Sequence, residues 1–317
     1  MRTRKLGATD LELTVVGFGT WALGGGGWAF GWGPQDDRVS TEAIHAALEG
    51  GINWIDTAPV YGLGHAEEVV GTALKNRRPR PIIATKCGLV WDDRRKIRGC
   101  LRATSVRAEA EASLRRLRVD VIDLYQIHWP NPDGEIEEGW AAIADLIREG
   151  KIRYAGVSNF SVDQVRRAQR IMPIASLQPP YSLLQRDIER EVLGFCAEYN
   201  IGVVAYSPIQ KGLLSGTFTR ERAMSLPQDD HRRKDPMFLD PQLSANLALV
   251  ERLREVAERR GVTVAQLAIA WVLRRPEVTA AIVGGRSPAQ VAATLRSADL
   301  LLAREDVETI DALLAGR

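Results

Sequence analysis

Residues 52–62, INWIDTAPVYG, decide the fold. The run from Ile52 to Ile55 is short and apolar, as a buried strand is, and it ends in a carboxylate, Asp56. A short turn then brings a phenol, Tyr61, back over the strand end. The next apolar run, IIAT, closes on Lys86, and the one after it, VIDLYQI, closes on His128. Three successive strands that each deliver an ionisable group to one mouth make the arrangement a proton-transfer site requires.

Outward from this stretch the same texture repeats. VVGFG (15–19), INWID (52–56), PIIAT (81–85), VIDLYQI (121–127), IRYAGV (152–157), IASL (174–177), IGVVAY (201–206) and TAAIV (279–283) are rich in branched residues and lack strict polar alternation. Runs of this kind suit parallel strands covered on both faces. Between them lie helix-period segments, such as Trp140, Ile143, Ala144 and Ile147, or Val106, Ala110, Ser113, Leu114 and Leu117. Eight strands with intervening helices predict an α/β protein, a (β/α)8 TIM barrel over residues 1–317 as one domain. A turn at Gly7–Asp10 predicts an N-terminal β-hairpin before the barrel, and the tail predicts extra C-terminal helices. A doubly wound open sheet is the competing fold, but its functional residues gather at one switch point, whereas here they end every strand.

Those ends are Gly19-Thr20-Trp21, Asp56, Lys86, His128, Ser158-Asn159, Gln178, Tyr206-Ser207 and Gly284-Gly285-Arg286. GFGTWA at 17–22 and GGGGWA at 24–29 formally match the dinucleotide fingerprint. Neither is expected to act as one, because that motif opens a helix directly after its strand and a Gly/Trp-rich loop follows here. At the last strand, Ser287-Pro288-Ala289-Gln290 reads as a capping box opening a helix, with two glycines and Arg286 just before it. Serine or threonine caps recur at Ser161/Gln164 and Thr263/Gln266, so the glycines and the arginine are what point to a bound phosphate.

Bulk composition narrows the function classes. Lys+Arg 42 against Asp+Glu 40 leaves a net charge of +2, which gives no general electrostatic case for nucleic acid or an acidic membrane. Three cysteines without CxxC spacing point to a reducing compartment and against a thiolate metal site. The polar start MRTRKLG and the lack of a long apolar run lead to the expectation of a soluble, cytoplasmic protein. The 45% hydrophobic content is ample for a large core.

The acid–base logic follows from residue type. A free phenol titrates near about 10, too high for ideal proton exchange at neutrality. Lys86 is expected to lower that value, Asp56 to keep the lysine charged, and His128 to orient a carbonyl oxygen or relay the proton. Such a group protonates an oxyanion but holds no hydride. A nicotinamide, with its amide held by Ser158, Asn159 and Gln178 and its ring on Tyr206, would supply one. Taken singly, Asp56 reads as a turn cap, Lys86 as the partner of a surface carboxylate and His128 as a satisfied core histidine; only the set favours a site. Trp21, Trp91 and Trp129 follow strands one, three and four and are candidates, beside Tyr61 and His128, for a substrate wall.

With these residues in view, the chain resembles the aldo-keto reductases across nearly its whole length. Asp56, Tyr61, Lys86 and His128 match that family's catalytic tetrad, and GVSNF (156–160), QPPYSLLQR (178–186), AYSPIQKGLLSG (205–216) and IVGGRSPAQV (282–291) match its cofactor segments in order and spacing. The resemblance implies an NADPH-dependent reductase of aldehydes or ketones, with NADH possible but weaker, and with Tyr61 as proton donor. The cofactor residues it implies are Gly19, Thr20, Trp21, Asp56, Ser158, Asn159, Gln178, Tyr206, Ser207, Pro208, Ile209, Lys211, Gly212, Leu213, Gly284, Gly285, Arg286, Ser287 and Gln290. The tone of GFGTWALGG and IDTAPVYGLGHAEEVVG is similar to the bacterial branch that includes inositol and sugar dehydrogenases and to potassium-channel β subunits. A sugar or polyol dehydrogenase, or a cofactor-binding regulatory subunit with little turnover, is therefore the alternative. The chain departs from the family pattern at Ala293 and Thr294, where many members carry Glu-Asn, and at Thr217, where a lysine is common and Lys211 stands nearby. The segment 218–243 is either a lid over the cofactor or a mobile charged loop.

Overall fold

A computed structural model describes residues 1–315. All eight apolar runs become parallel strands: β3 (Val16–Gly19), β4 (Trp54–Asp56), β5 (Ile82–Cys87), β8 (Ile122–Ile127), β9 (Ile152–Ser158), β10 (Ser176–Gln178), β11 (Gly202–Ala205) and β12 (Val278–Gly284). They close into a barrel in that order, with β12 returning to β3. The predicted hairpin is β1 (Thr3–Lys5) paired antiparallel to β2 (Glu12–Thr14). A second hairpin, β6 (Leu89–Trp91) with β7 (Ile97–Gly99), leaves the end of β5; the sequence reading did not anticipate it.

Around the strands run α1 (Asp37–Glu49), α2 (His65–Ala73), α3 (Ala103–Leu117), α4 (Ile136–Arg148), α5 (Val162–Gln169), α6 (Val192–Glu198), the short α7 (Arg220–Met224), α8 (Gln242–Arg259), α9 (Val264–Leu273), α10 (Pro288–Leu295) and α11 (Arg304–Ala315). Their starts follow local chemistry. Asp36 caps α1 by accepting from the Arg38 and Val39 amides, and the boxes Ser161/Gln164 and Thr263/Gln266 close reciprocally at α5 and α9. At α10 only half of the expected box forms. Ser287 accepts from the Gln290 amide, but the Gln290 side chain turns to the Arg286 amide at 2.9 Å instead. The outcome suits the site, because it pins the backbone before the helix. Among the described residues no helix is long and apolar enough to cross a membrane.

Two cores result from the alternation of side chains along the strands. One fills the space between barrel and helices, with Ile55, Ile83, Tyr125, Trp140 and Trp271 buried in it. The other lies inside the barrel and joins Trp54, Ala84, Leu124, Val204 and Ala280 to Leu6, Leu11 and Leu13 of the hairpin, which closes the bottom of the barrel. Gly17 is needed here: a Cβ at that position would stand 2.0 Å from the Trp54 ring, whose Nε1 donates to Thr14 O at 2.9 Å. With the bottom filled, the open end is the carboxyl mouth. The register sets what appears there, pairing Gly19 with Asp56, Lys86 with Gln126, Ser158 with Gln178 and Gly284 with Gly19.

Candidate active site

Lys86 lies fully buried at the end of β5 and organises the mouth. Its Nζ donates to Asp56 Oδ1 at 2.6 Å and to Thr57 O at 2.9 Å, and stands 3.4 Å from the Tyr61 hydroxyl. The other carboxylate oxygen of Asp56 accepts from Gln178 Nε2 at 2.9 Å, so both oxygens of this buried anion have partners. Gln126, also buried, lies 3.5 Å from the same oxygen and accepts from Gln178 at 3.2 Å. The sequence reading missed Gln126, because a glutamine inside a strand carries no signal until the register sets it beside Lys86. Thr20 ties β3 to this floor, its amide and hydroxyl both donating to Asp56 O. The His128 ring meets Tyr61 edge-on, with centroids 5.8 Å apart.

The electrostatics differ from expectation at the phenol. Burial, reinforced by the Asp56 carboxylate, raises the Tyr61 pKa well above its ordinary value, so Lys86 does not bring it down toward neutrality. Burial likewise lowers Lys86, against the opposing pull of Asp56, and lowers His128 well below the ordinary histidine value, with Lys86 adding to the effect. At neutral pH the mouth therefore presents a protonated phenol and a neutral imidazole. Behind Lys86, two buried carboxylates brace the strand. Glu67 accepts from Thr85 Oγ1 at 2.6 Å and pairs with Arg116 at 2.7 Å, while Glu109 accepts from the Gly88 amide at 2.9 Å. Burial raises the Glu109 pKa to about 7.

These groups open into a cavity of about 1500 Å³. Of the residues the sequence assigned, Gly19, Thr20, Trp21, Asp56, Tyr61, His128, Trp129, Ser158, Asn159, Gln178, Tyr206, Ser207, Pro208, Ile209, Lys211, Gly212, Gly284, Gly285, Arg286, Ser287 and Gln290 line it. Three do not. Lys86 stands behind Asp56 and Tyr61, Trp91 lies on β6 outside the lining, and the Leu213 side chain is buried among Phe218, Leu226, Phe238 and Leu243. Ser158, Asn159 and Tyr206 form a chain: Tyr206 donates to Asn159 Oδ1 at 2.9 Å, Asn159 Nδ2 donates to His128 O and lies 3.0 Å from Ser158 Oγ, and Ser158 donates to Gln178 O.

The Gly/Trp-rich loop forms one wall, more aromatic than the sequence reading proposed. Trp21 stacks on Tyr61 at 6.2 Å and on His231 at 4.7 Å, and Trp28 and Phe30 also line the cavity. The segment 218–243 folds across the same mouth. His231 and Asp229 bond to Gly31 and Gly27, Lys211 pairs with Asp235 at 2.6 Å, and Arg232 stands over the Trp32 ring. Contacts joining residues about two hundred positions apart leave no trace in a local pattern, so the sequence could not choose between a cover and a loose loop. Arg286 is held by the loop as well, donating to Gln35 Oε1 at 2.7 Å, Trp32 O at 3.0 Å and Pro34 O. With five N–H groups, a guanidinium so held keeps donors for an anion.

This geometry fits a nicotinamide dinucleotide. Ser158, Asn159, Gln178 and Tyr206 bring polar groups to the cavity that Tyr61 lines, and Arg286, with Arg222 and Arg232 near it, supplies cations able to meet phosphates. A closed barrel with this mouth defines an enzyme class, and comparison makes it specific: the chain belongs to the aldo/keto reductase family, whose model matches residues 15–315, a family of carbonyl-reducing enzymes that use NADH or NADPH. It is 39% identical to the aldo-keto reductase YhdN of Bacillus subtilis, covering 99% of this chain and 94% of that one, and 34% identical to the NADH-specific methylglyoxal reductase of Escherichia coli, covering 98% and 100%. Among solved structures it matches the glycerol dehydrogenase AKR11B4 of Gluconobacter oxydans with a TM-score of 0.90, at 41% identity over 99% of this chain and 95% of that one. It also matches the holo form of AKR11C1 from Bacillus halodurans with a TM-score of 0.82, at 30% identity over 99% and 96%.

Proposed function

We propose that this chain reduces small aldehydes and ketones to alcohols with NADPH, and that Tyr61 is the proton donor. The observation that carries the reading is the buried relay from Asp56 through Lys86 to the Tyr61 hydroxyl, with spacings of 2.6 and 3.4 Å, opening beside His128 into a cavity large enough for cofactor and substrate together. A bound nicotinamide supplies the hydride. Tyr61, held protonated by burial, gives its proton to the carbonyl oxygen as charge develops there. The Lys86 ammonium then stabilises the phenolate left behind, and Asp56 keeps that ammonium charged in a dry setting. Neutral His128 donates a hydrogen bond that orients the carbonyl.

Cofactor choice rests on Arg286 and Ser287 at the start of α10, a setting suited to a 2′-phosphate. Arg286→Ala is expected to weaken NADPH binding by roughly 10- to 100-fold while NADH changes little, as read by fluorescence titration. Equal losses for both cofactors would assign Arg286 to holding the 32–35 loop instead. The Escherichia coli relative is NADH-specific, so this titration decides a real alternative.

The oxidative direction is the second reading, favoured by the likeness to a glycerol dehydrogenase. The same residues would run in reverse, with Tyr61 needed as phenolate. Because its pKa is held high, oxidation of polyols should rise with pH across the alkaline range, while aldehyde reduction stays flat between pH 6 and 9, taken as rough bounds. Parallel rate profiles in both directions check this; a reduction rate that falls through neutrality would place the donor elsewhere.

A further inference from the structure

The cavity is more basic than the chain as a whole. Among the described residues its carboxylates are Asp56 and Asp235, each already paired with a lysine, while Arg95, Lys96, Arg98, Lys211, Arg222, Arg232, Lys234 and Arg286 line it. Arg286 is the cation assigned above to the cofactor, and Arg222 and Arg232 stand near it. Arg95, Lys96 and Arg98 sit elsewhere in the chain, on the β6–β7 hairpin, which rises from the strand that carries Lys86. None of the three makes an ion pair or a side-chain hydrogen bond among the described residues.

The hairpin is built against the reacting end of the cavity. Leu89 and Ile97 pack on the Trp28, Ala58 and Val60 cluster, against which Tyr61 also packs, so the hairpin shares a wall with the proposed proton donor. Asp92 shapes the tip by accepting from the Arg94 and Lys96 amides through Oδ1, and Asp92 and Asp93 together set two carboxylates against Arg94, Arg95, Lys96 and Arg98, leaving the hairpin net positive. The Arg95 guanidinium reaches to within 3.8 Å of where a Cβ on Gly27 would lie, so the tip meets the glycine loop over the mouth. Asp229 accepts from the Gly27 amide of that loop and makes no ion pair with any of the three among the described residues. The same cavity is lined by Tyr61, Trp28, Leu89, Ile97 and Trp129 and by the three cations.

We propose that Arg95, Lys96 and Arg98, exposed on the β6–β7 hairpin at the cavity rim, receive an anionic group on the substrate, so that the preferred substrate is a carbonyl compound bearing a carboxylate or phosphate. This rests on the reductase reading above. The reaction is unchanged: the carbonyl carbon gains a hydride from the reduced nicotinamide, its oxygen gains the Tyr61 proton, the nicotinamide leaves oxidised, and the anionic tail takes no part.

The test compares neutral and anionic twins, butanal with 4-oxobutanoate and glyceraldehyde with glyceraldehyde 3-phosphate, at low and high salt. The anionic twin is expected to lead by about tenfold in kcat/KM, mainly through KM, with the lead shrinking as salt screens it. The pair that shows the lead distinguishes carboxylate from phosphate. In Arg95→Asn/Lys96→Gln, where asparagine suits the left-handed backbone at φ 62°, the ratio should fall about tenfold; Arg98→Gln provides an independent second variant. Equal turnover of the twins by the wild type, or an unchanged ratio in both variants, overturns the proposal and leaves the reductase reading intact. An equal loss of NADPH affinity in the variants also overturns it, by assigning the cations to the cofactor. Absence of turnover with every twin removes the reductase reading and this proposal together.

Discussion

Tyr61→Phe lowers kcat for aldehyde reduction by about 10²- to 10⁴-fold, the range of a positioned general acid, and leaves the cofactor dissociation constant within about twofold. The substitution deletes one oxygen and keeps the ring, so the stack with Trp21 and the edge contact with His128 survive. Lys86 and Asp56 also keep their 2.6 Å bond, because the hydroxyl is the most distant of the Lys86 partners. The loss should therefore fall on the chemical step. Single-turnover kinetics beside a fluorescence titration separate the two quantities. Wild-type rates in this variant would transfer the donor role to another group, with His128 the nearest candidate.

Lys86→Met combines a loss of activity with a loss of stability. Methionine roughly fills the lysine volume but leaves the Asp56 carboxylate buried without its ammonium, which costs about 3–5 kcal/mol. Urea denaturation should show this as a lower midpoint at unchanged slope. Turnover should fall by about 10²-fold or more, because the phenolate loses the charge that stabilises it. Adding Asp56→Asn removes the stranded charge and keeps an acceptor for Gln178, so the double variant should regain most of the stability and none of the activity. Recovery of both together would mean that the pair serves only to hold the fold.

The barrel was legible because parallel strands covered on both faces must be short and apolar, and each of the eight carries a polar residue within two positions of its end. Asp56, Tyr61 and His128 could be placed at one mouth for the same reason: strand ends of a barrel share a face. What depended on burial was not legible. The direction of the Tyr61 pKa follows from desolvation, which a residue string does not contain, and the supporting roles of Gln126, Glu67 and Glu109 follow from register and helix packing. Glu67 and Glu109 read as ordinary helix charges until α2 and α3 turn them inward. The β6–β7 hairpin escaped notice because DDRRKIR reads as a solvated loop, and the Arg286 anchors escaped because they lie about two hundred and fifty positions away in the chain.

The most direct test of the account is deuterium transfer. The purified protein would be given NADPH deuterated on the transferring face of C4 together with a panel of aldehydes and ketones, and the alcohol products analysed by mass spectrometry. The account predicts one deuterium on the carbinol carbon, with the label lost from the cofactor, and suppression of both in Tyr61→Phe. Tight cofactor binding with no label transfer to any carbonyl, and none from labelled alcohols in reverse, would contradict it and make the chain a cofactor-binding subunit in which the same residues serve recognition.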